Sequence, residues 1–478
     1  MGVVLSRFRR LVGRRYAPTE TVPGQSITSA AKSAASSESR SPEPSPPPIH
    51  IAIVGAGIGG LSLAVGCLRN NVTFTIYESA AQYSVIGAGV GLGPNALRAL
   101  HLISPELRAL YDTISSGNLS EEKLHVAMEA MYAEPGFGET RGWTPQPFGA
   151  KCYERTSAHR RDLLNILTGK IPDNAVQFNK RVTDIQQLVN EGRCVLSFSD
   201  GTKATATAVI GCDGVKGTSR GFVLAPAGYP GEVAPVFSGK YAYRSIVPMA
   251  TAQAVLGAEY AGDAKCFNGP GVNIMTYPIS SGTECNIVAC RFVDGPWTHP
   301  QWTRRVPLET IRTDFPNVDD RLVKLIECAE PVQWALHHHI QTSTYYYGLL
   351  CLLGDSAHAT TPHQASGAGM SIEDALILSH VLGRVDRWQD LEAAFAAYDA
   401  VRRPRAQRVV QTSQELGAMY ACSDPRYGDD MGKIVENLNV RFLWIWEHDL
   451  TADMETVCQL FREKKESQEK LSKGRGDL

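Results

Sequence analysis

The sequence lacks several features that would place it in a common class of protein. It has no apolar run of about 18 residues, so no transmembrane helix is predicted. Its formal charge of −2 over 478 residues offers no basic excess for binding nucleic acid. Its 11 cysteines include no C-x-x-C pair, which argues against a disulfide reductase and is typical of reduced thiols in an intracellular protein.

No cluster of metal ligands is evident either. The one histidine-rich segment is the run His337-His338-His339. Neighbouring side chains on a strand point to opposite faces, so these three rings cannot converge on one ion. We therefore predict no metal site.

Residues 1–48 have a composition that cannot form a core. Residues 1–16 carry five arginines and no acid, and a Ser/Ala/Pro-rich stretch follows. We predict a disordered extension. Three interpretations remain open for it: a mitochondrial-type targeting segment, a plain tail, or a peripheral membrane anchor. The anchor is suggested because Gly2 and Ser6 fit the myristoylation motif M-G-x-x-x-[ST], and the arginines would add an electrostatic attraction to the membrane surface. The predicted location is accordingly cytoplasmic or mitochondrial.

The strongest local pattern is a strand, a glycine-rich turn and a helix. A β-branched strand over 49–54 precedes the turn, and a second strand after the helix ends at Glu78. The glycines, in G-x-G-x-x-G order, are Gly55, Gly57 and Gly60. They predict, in turn, a tight bend, close backbone approach to a pyrophosphate, and close helix–strand packing. Glu78 suits the ribose hydroxyls of an adenosine without a 2′-phosphate, so a dinucleotide of the FAD or NAD type is predicted.

A second motif about 300 residues later favours FAD, whose isoalloxazine ring lies far from its adenine. An apolar strand over 349–353 runs into the segment 354–375, "GDSAHATTPHQASGAGMSIEDA". Asp355 at the strand end can bind ribityl hydroxyls, and Gly367 and Ala368 permit close backbone approach. The helix predicted from about Met370 would direct its positive end at the negative charge of reduced flavin.

Three further segments fit the same cofactor. The loop 87–100 contains Gly91 and is predicted to run beside it into a helix. Arg160 begins a helix in "SAHRRDLLNIL", where a basic residue suits the pyrophosphate or the ribityl chain. The strand over 206–211 leads into "CDGVKGTSR", which contains Asp213.

On these motifs, residues 49–450 resemble the single-component class A flavoprotein monooxygenases of the salicylate hydroxylase-like group. The departures are Gly217, where a serine is usual, and Ala365-Ser366, where such enzymes often have Gly-Ala. The resemblance implies an α/β fold: a Rossmann-like FAD-binding domain of the glutathione-reductase type, an antiparallel β-sheet substrate domain and C-terminal helices. It implies FAD contacts from a set of five residues: Glu78, Gly91, Arg160, Asp355 and Ala368.

The resemblance also implies a chemistry. NAD(P)H, a transient electron donor, reduces FAD; O2 then adds at the flavin C4a, and the hydroperoxide transfers oxygen to an electron-rich ring. A second strand–GxGxxG–helix unit for NADPH, as in two-dinucleotide reductases, is missing from the sequence. The protein's own part is to orient the substrate and to exclude water.

Four segments are predicted along the chain. Residues 1–48 form the extension, 49–230 and 335–420 the FAD-binding domain, 231–334 the substrate domain, and 421–478 a C-terminal helical segment. The substrate domain is predicted from alternating strands such as "KYAYRSIVPM" and "GVNIMTYPIS". A helix interrupted at Pro404 is expected before the last segment, and Trp444 and Trp446 are interpreted as packing residues.

Arg244 and Tyr277 are the predicted catalytic residues. On its strand, Arg244 points away from Tyr241 and Tyr243. An arginine about 4 Å from a phenolate oxygen contributes roughly 4 kcal/mol at an effective dielectric of ~20, which favours the reactive phenolate. The alternative is that Arg244 pairs with a local carboxylate and that Tyr277 only packs. The segment resembles fungal polyketide hydroxylases that dearomatise phenols, in which matching Arg and Tyr residues bind the phenolate.

The function predicted is hydroxylation of a phenolic small molecule, a polyketide of secondary metabolism, by FAD, NAD(P)H and O2. Salicylate-type decarboxylative hydroxylation and flavin-dependent epoxidation are the alternatives among enzymes. An FAD-binding scaffold without oxygen chemistry is the alternative outside them. His363, beside Pro362, is a further candidate for a proton relay, with backbone capping as its alternative.

Overall fold

The computed structural model describes residues 49–83, 89–328 and 330–475. The extension 1–48, with its targeting and myristoylation alternatives, and the first residues of the loop 87–100 lie outside this range. Across the described residues, no helix is both long and apolar enough to cross a membrane.

The strands and helices are numbered in chain order. The strands are β1 (His50–Val54), β2 (Thr73–Tyr77), β3 (Gly89–Gly91), β4 (Val126–Tyr132), β5 (Gln146–Gly149), β6 (Ser157–His159), β7 (Val176–Gln177), β8 (Val182–Leu188), β9 (Arg193–Phe198), β10 (Lys203–Ala206), β11 (Ala208–Gly211), β12 (Val236–Pro248), β13 (Lys265–Gly269), β14 (Val272–Ile279), β15 (Glu284–Phe292), β16 (Thr303–Arg305), β17 (Val332–His338), β18 (Tyr346–Tyr347) and β19 (Leu350–Leu352). The helices are α1 (Ile58–Arg69), α2 (Pro94–Ile103), α3 (Pro105–Ile114), α4 (Arg160–Thr168), α5 (Ser219–Leu224), α6 (Met249–Leu256), α7 (Ala258–Ala261), α8 (Glu309–Asp314), α9 (Asp320–Glu327), α10 (Asp355–His358), α11 (Gly367–Leu382), α12 (Leu391–Tyr420), α13 (Met431–Arg441), α14 (Leu443–Trp446) and α15 (Leu450–Arg475).

A six-stranded sheet carries the three cofactor motifs predicted from the sequence. Its order is β18-β19-β11-β1-β2-β7, and all neighbours are parallel except β18 and β19. Its central strands β1, β11 and β19 consist almost entirely of buried apolar residues, several of them β-branched, as a sheet covered on both faces requires. Because β1, β11 and β19 are adjacent and parallel, the turns at Gly55, Cys212 and Gly354 meet at one edge, where α/β sheets bind their ligands.

An eight-stranded sheet faces that edge. Its order is β16-β17-β12-β15-β14-β13-β4-β5, antiparallel except for the pair β13 and β4. One face packs on α6, α8 and α9 through a core that includes Tyr241 and Tyr243. As predicted, Arg244 lies on the opposite face. The sheet extends beyond the predicted bounds 231–334, because β4 and β5 join it from 126–149 and β17 ends at His338.

The C-terminal helices contain one departure from the sequence prediction. The interruption expected at Pro404 was wrong: α12 is helical throughout, with Pro404 inside it. Arg402 and Arg405, on either side of the proline, bind the buried acids Glu373 and Asp374 of α11. These ion pairs fix α12 to α11 on both sides of the position where a backbone hydrogen bond is missing.

Candidate active site

A cavity of about 840 Å³ lies between the two sheets. The turns after β1, β11 and β19 and the start of α11 line one side, and β12, β14 and β15 line the other. The cavity therefore opens where the carboxyl ends of three parallel strands meet the uncovered face of the eight-stranded sheet. It is large enough for a dinucleotide ring system together with a small substrate.

The glycine-rich turn has the geometry that its spacing predicts. Gly55 has a φ of +103°, and a Cβ there would lie 2.5 Å from the Cys212 carbonyl oxygen. A Cβ on Gly60 would lie 2.1 Å from the Gly55 carbonyl oxygen, so helix and strand can approach only without it. A Cβ on Gly57 would meet no atom within 4 Å, and Gly57 lines the cavity. The open space at Gly57 fits a pyrophosphate, as the motif requires.

Two alanine substitutions in this turn should separate folding from cofactor binding. We expect Gly57→Ala to fold normally, because the added methyl enters empty space, but to weaken FAD binding at least about tenfold by occupying the space for the pyrophosphate. Gly60→Ala should instead destabilise the apoprotein by about 1–3 kcal/mol, because the turn must move. Thermal melting of the apoprotein and titration with FAD test both. Equal loss of FAD affinity and stability in the two variants would contradict the assignment.

Glu78 is held at the same turn. Its Oε2 accepts a hydrogen bond from the Ala56 N–H (2.8 Å), and its Oε1 accepts one from the Ala80 N–H (2.7 Å). The carboxylate lies beside the turn rather than in the cavity wall. Contact with a ribose stays a prediction.

Asp213 lies behind the cavity wall, which its neighbours Cys212 and Gly214 form. Its Oδ2 accepts hydrogen bonds from the Ser219 N–H and Oγ–H (both 3.0 Å), whereas Oδ1 is buried and has no partner among the described residues. Burial raises the pKa of the carboxyl group, and the bonds from Ser219 oppose that shift. Asp213 therefore joins the turn after β11 to the start of α5 behind the cavity, and its contact with a cofactor stays a prediction.

The position of Asp213 explains why residue 217 is a glycine here, whereas the family that the sequence resembles usually has a serine at this point. A Cβ at Gly217 would lie 2.1 Å from Asp213 Cγ. A serine would therefore require the aspartate to adopt another position. The glycine allows Asp213 to turn toward Ser219 at the start of α5.

The second motif places a carboxylate in the cavity. Gly354 has a φ of +67°, and its turn presents Asp355 to the cavity. Burial raises the pKa of Asp355, and the nearby charges of His358 and Arg160 lower it in part. The helix α11 begins at Gly367, three residues before the predicted Met370, and has no side-chain cap at its first turn. Its free N–H groups therefore face the region where a flavin ring would bind.

The predicted residues fall into two groups. Eight line the cavity: Gly57, Gly91, Arg160, Arg244, Tyr277, Asp355, Gly367 and Ala368. Four shape its wall from the turns behind it: Gly55, Gly60, Glu78 and Asp213. The structure thus brings together residues that are up to 313 positions apart, counted from Gly55 to Ala368.

The cavity carries an excess of positive charge. Arg155, Arg160 and Arg244 line it, and Asp355 is the one acidic side chain among the described residues that do so. Burial lowers the pKa of Arg160, with Asp355 opposing and Arg244 adding to the shift. Within the described part of the chain, Arg244 makes no salt bridge, and its side chain is exposed to the cavity. Among the described residues, Arg244 therefore does not pair with a local carboxylate, which was the alternative interpretation of this residue.

Tyr277 is already hydrogen-bonded. Its hydroxyl donates to the Gly89 carbonyl oxygen (3.2 Å), and Asn286 Oδ1 accepts from the Gly89 N–H (2.7 Å). The Arg155 guanidinium lies over the Tyr277 ring, 4.8 Å from its centroid. Burial raises the pKa of Tyr277, and the charges of Arg155 and Arg244 oppose the shift. Donation to a substrate would require the hydroxyl to exchange Gly89 for the ligand.

Sequence reasoning missed three residues of the wall. Trp446, interpreted as a packing residue, lines the cavity together with Phe442 and Arg155. Phe442 and Trp446 stack on each other with their ring centroids 5.0 Å apart, and they make this part of the wall apolar. Their spacing of four residues in an aromatic-rich segment was the available signal. Trp444 does pack as predicted, against the Arg408 guanidinium.

The histidine run forms no ligand cluster. His337 stacks on Trp302 with centroids 3.7 Å apart, and burial lowers the pKa of both His338 and His339. In residues 49–83, 89–328 and 330–475, no group of three or more His, Cys, Asp or Glu side chains is arranged to hold a metal ion.

Comparison with known proteins agrees with this geometry. The profile of a family described as "FAD binding domain" matches residues 49–413. An FAD-dependent monooxygenase of Gibberella moniliformis is 40% identical over 429 residues, covering 86% of this chain and 97% of the relative. A 6-methylsalicylate 1-monooxygenase of Aspergillus terreus is 38% identical, covering 88% and 94%.

A salicylate hydroxylase of Pseudomonas putida is 34% identical, covering 85% of this chain and 94% of the relative. The solved structure of a salicylate hydroxylase–substrate complex matches with a TM-score of 0.75 and 27% identity, covering 86% of this chain and 98% of that one. The predicted fold class and cofactor are thereby confirmed. This chain belongs to the FAD-binding-domain family and is an FAD-dependent monooxygenase of the salicylate hydroxylase type.

Proposed function

We propose that this protein hydroxylates a phenolic small molecule with O2 and NAD(P)H, and that the substrate is a polyketide of secondary metabolism. One observation carries the proposal: Arg244 presents a guanidinium to the cavity and makes no salt bridge within the described residues. FAD, when bound, supplies electron transfer from NAD(P)H and the activation of O2. The fungal relatives named as FAD-dependent monooxygenases support the type of reaction. The choice of a polyketide substrate rests on the resemblance of the segment around Arg244 and Tyr277 to fungal phenol hydroxylases.

The chain's own residues bind and polarise the substrate. Phe442 and Trp446 make part of the cavity wall aromatic and apolar, which suits an aromatic ring. Arg244, from the opposite sheet, stabilises the phenolate over the phenol, and a ring that carries an ionised oxygen is more electron-rich. The half-buried Arg155 and Arg160 leave the site positive even with Asp355 ionised, which favours anionic ligands.

Decarboxylative hydroxylation of a salicylate-type acid is the second candidate. Two relatives are named for such acids, 6-methylsalicylate 1-monooxygenase and salicylate hydroxylase. The excess of guanidinium groups in the cavity suits a substrate with both a carboxylate and a phenol. Nothing in the family's motifs distinguishes NADH from NADPH, so both donors belong in the test.

A screen of phenolic acids, phenolic aldehydes and simple phenols should identify compounds that stimulate NAD(P)H oxidation by the FAD-loaded protein. We expect stimulation by at least one phenol, with equal consumption of O2. A product heavier by one oxygen supports simple hydroxylation, whereas gain of oxygen with loss of CO2 supports the salicylate-type route. An isolated alkene as the only effective class would indicate epoxidation. A protein that binds FAD but consumes no NAD(P)H with any compound would be the scaffold alternative.

A further inference from the structure

Lys240 is buried beside the cavity without a counter-charge. Its exposed fraction is 5%, and no carboxylate of the described residues lies within salt-bridge distance of its ammonium. The Nζ atom lies 3.4 Å from His363 Nε2 and 4.6 Å from the centroid of the Phe292 ring. A lysine that is buried with an imidazole and an aromatic face, rather than with an acid, is unusual in a structural role.

The helix α12 covers Lys240 and His363 on one side. A Cβ at Gly417 would lie 2.5 Å from Lys240 Nζ and 2.6 Å and 2.7 Å from His363 Cδ2 and Nε2. The Cδ2–Nε2 edge of the imidazole therefore faces Lys240 and the helix. His363 lines the cavity, whereas Lys240 does not. The opposite side of the ring, which carries Nδ1, points away from Lys240 and the helix.

We propose that Lys240 is a positioning residue that acts through His363 on an anionic oxygen of the substrate. The ammonium donates a hydrogen bond to Nε2, which fixes the imidazole in the tautomer that carries its proton on Nδ1. His363 then presents an N–H donor to the cavity, and the lysine charge behind it makes that donor more attractive to a carboxylate or phenolate. The inference rests on the proposed function, because it assigns an aromatic anion to the same cavity.

The charge on Lys240 should be lost within an accessible pH range. Burial lowers its pKa to about 8, with a small opposing effect of Cys290 on β15. The other titratable groups near the pair are His338 on β17 and Tyr420 on α12. Burial lowers the pKa of His338 and His363 and raises that of Tyr420, so these groups stay neutral near pH 8. Deprotonation of Lys240 as the pH rises through about 8 therefore removes the positive charge behind His363 and leaves a much weaker donor to Nε2, and anion binding falls.

The test measures binding of benzoate and benzamide to the FAD-loaded protein from pH 6.5 to 9.5, by the change in the flavin absorption spectrum. Benzoate is ionised and benzamide neutral over the whole range, and arginines keep their charge. We expect the Kd of benzoate to rise about tenfold with a midpoint near pH 8, as one charge-assisted hydrogen bond is lost. The Kd of benzamide should stay constant. This profile of the unchanged protein depends on no variant's folding.

Two substitutions locate the effect. In Lys240→Met, benzoate binding should be about tenfold weaker at pH 7 and independent of pH to 9.5. His363→Asn keeps a donor near the Nδ1 position but has no second nitrogen, so adding Lys240→Met to it should change the Kd no further. Lys203→Met removes an exposed lysine of β10 and should leave the profile unchanged. FAD content and thermal melting report on folding.

The outcomes also separate this inference from the proposed function. Benzoate binding that is independent of pH in the unchanged protein, or additive effects of the two substitutions, would overturn the role of Lys240 and leave phenol hydroxylation standing. The expected pH profile without phenol-stimulated NAD(P)H oxidation would support Lys240 and remove the proposed reaction. Failure of benzoate to bind at any pH would overturn the inference.

Discussion

Arg244→Met should lower kcat/KM for phenolic substrates by roughly 30- to 160-fold while leaving FAD content unchanged. The loss corresponds to about 2–3 kcal/mol, the part of an Arg–phenolate attraction that remains after desolvation. Because the guanidinium stabilises the phenolate, the rate in the variant should also rise toward the solution pKa of the substrate. Steady-state kinetics from pH 6 to 10 would show both effects.

Arg305→Met is the matched control. It removes a guanidinium from β16, an edge strand of the same sheet, where Arg305 is exposed and pairs with Glu330. Turnover in this variant should stay within about twofold, because an exposed pair contributes little. Full turnover of Arg244→Met would instead favour epoxidation of an alkene, which needs no phenolate.

Arg402→Met should produce the largest loss of stability, about 3–5 kcal/mol, because it removes the arginine of buried Asp374 and leaves buried Glu373 with Arg405 alone. Arg402 is 0% exposed, with Nη1 2.7 Å from Glu373 Oε2 and Nε 2.9 Å from Asp374 Oδ1. Burial alone would raise the pKa of Glu373, but Arg402 and Arg405 lower it to about 2. Urea unfolding of the FAD-loaded protein, followed by tryptophan fluorescence, measures the change.

The same substitution should weaken FAD binding as well. Asp374 Oδ2 accepts a hydrogen bond from the Gly354 N–H (3.1 Å), so the ion pairs support the turn that presents Asp355 to the cavity. Arg193→Met, which breaks an exposed pair with Glu191, serves as control and should cost less than about 1 kcal/mol. Equal stability of the two variants would show that the buried network contributes no more than a surface pair.

The cofactor side of the site could be predicted from the sequence because its information is local. Gly55 is required by its φ of +103° and Gly60 by its approach to the Gly55 carbonyl oxygen, both within one strand–turn–helix unit, and Asp355 follows closely after a buried strand. Parallel strands align their carboxyl ends, so local motifs meet without any knowledge of long-range contacts. Arg244 was placed on the correct face for a similar reason, since side chains alternate along a strand.

Features that depend on distant contacts could not be predicted. The strand β4 joins the large sheet through a parallel pair with β13, more than 130 residues later, and no pattern within 126–132 indicates that partner. Trp446 faces the cavity because α14 is held by its neighbours: Arg98 Nη2 donates to the Trp446 carbonyl oxygen (2.5 Å). Pro404 remains helical because buried ion pairs on either side outweigh its local cost.

The double attachment of Gly89 connects the proposed substrate side of the cavity to the proposed cofactor side. Its carbonyl oxygen is bound by Tyr277 of β14 and its N–H by Asn286 of β15, the register partner of Tyr277. Gly89 begins the short strand whose Gly91 lines the cavity. A substitution of Tyr277 that admits a bulkier aromatic ligand would therefore also remove the hydrogen bond to Gly89 and release one end of that strand. Variants selected for new substrates at this position should need a compensating change before they hold flavin as firmly as the parent.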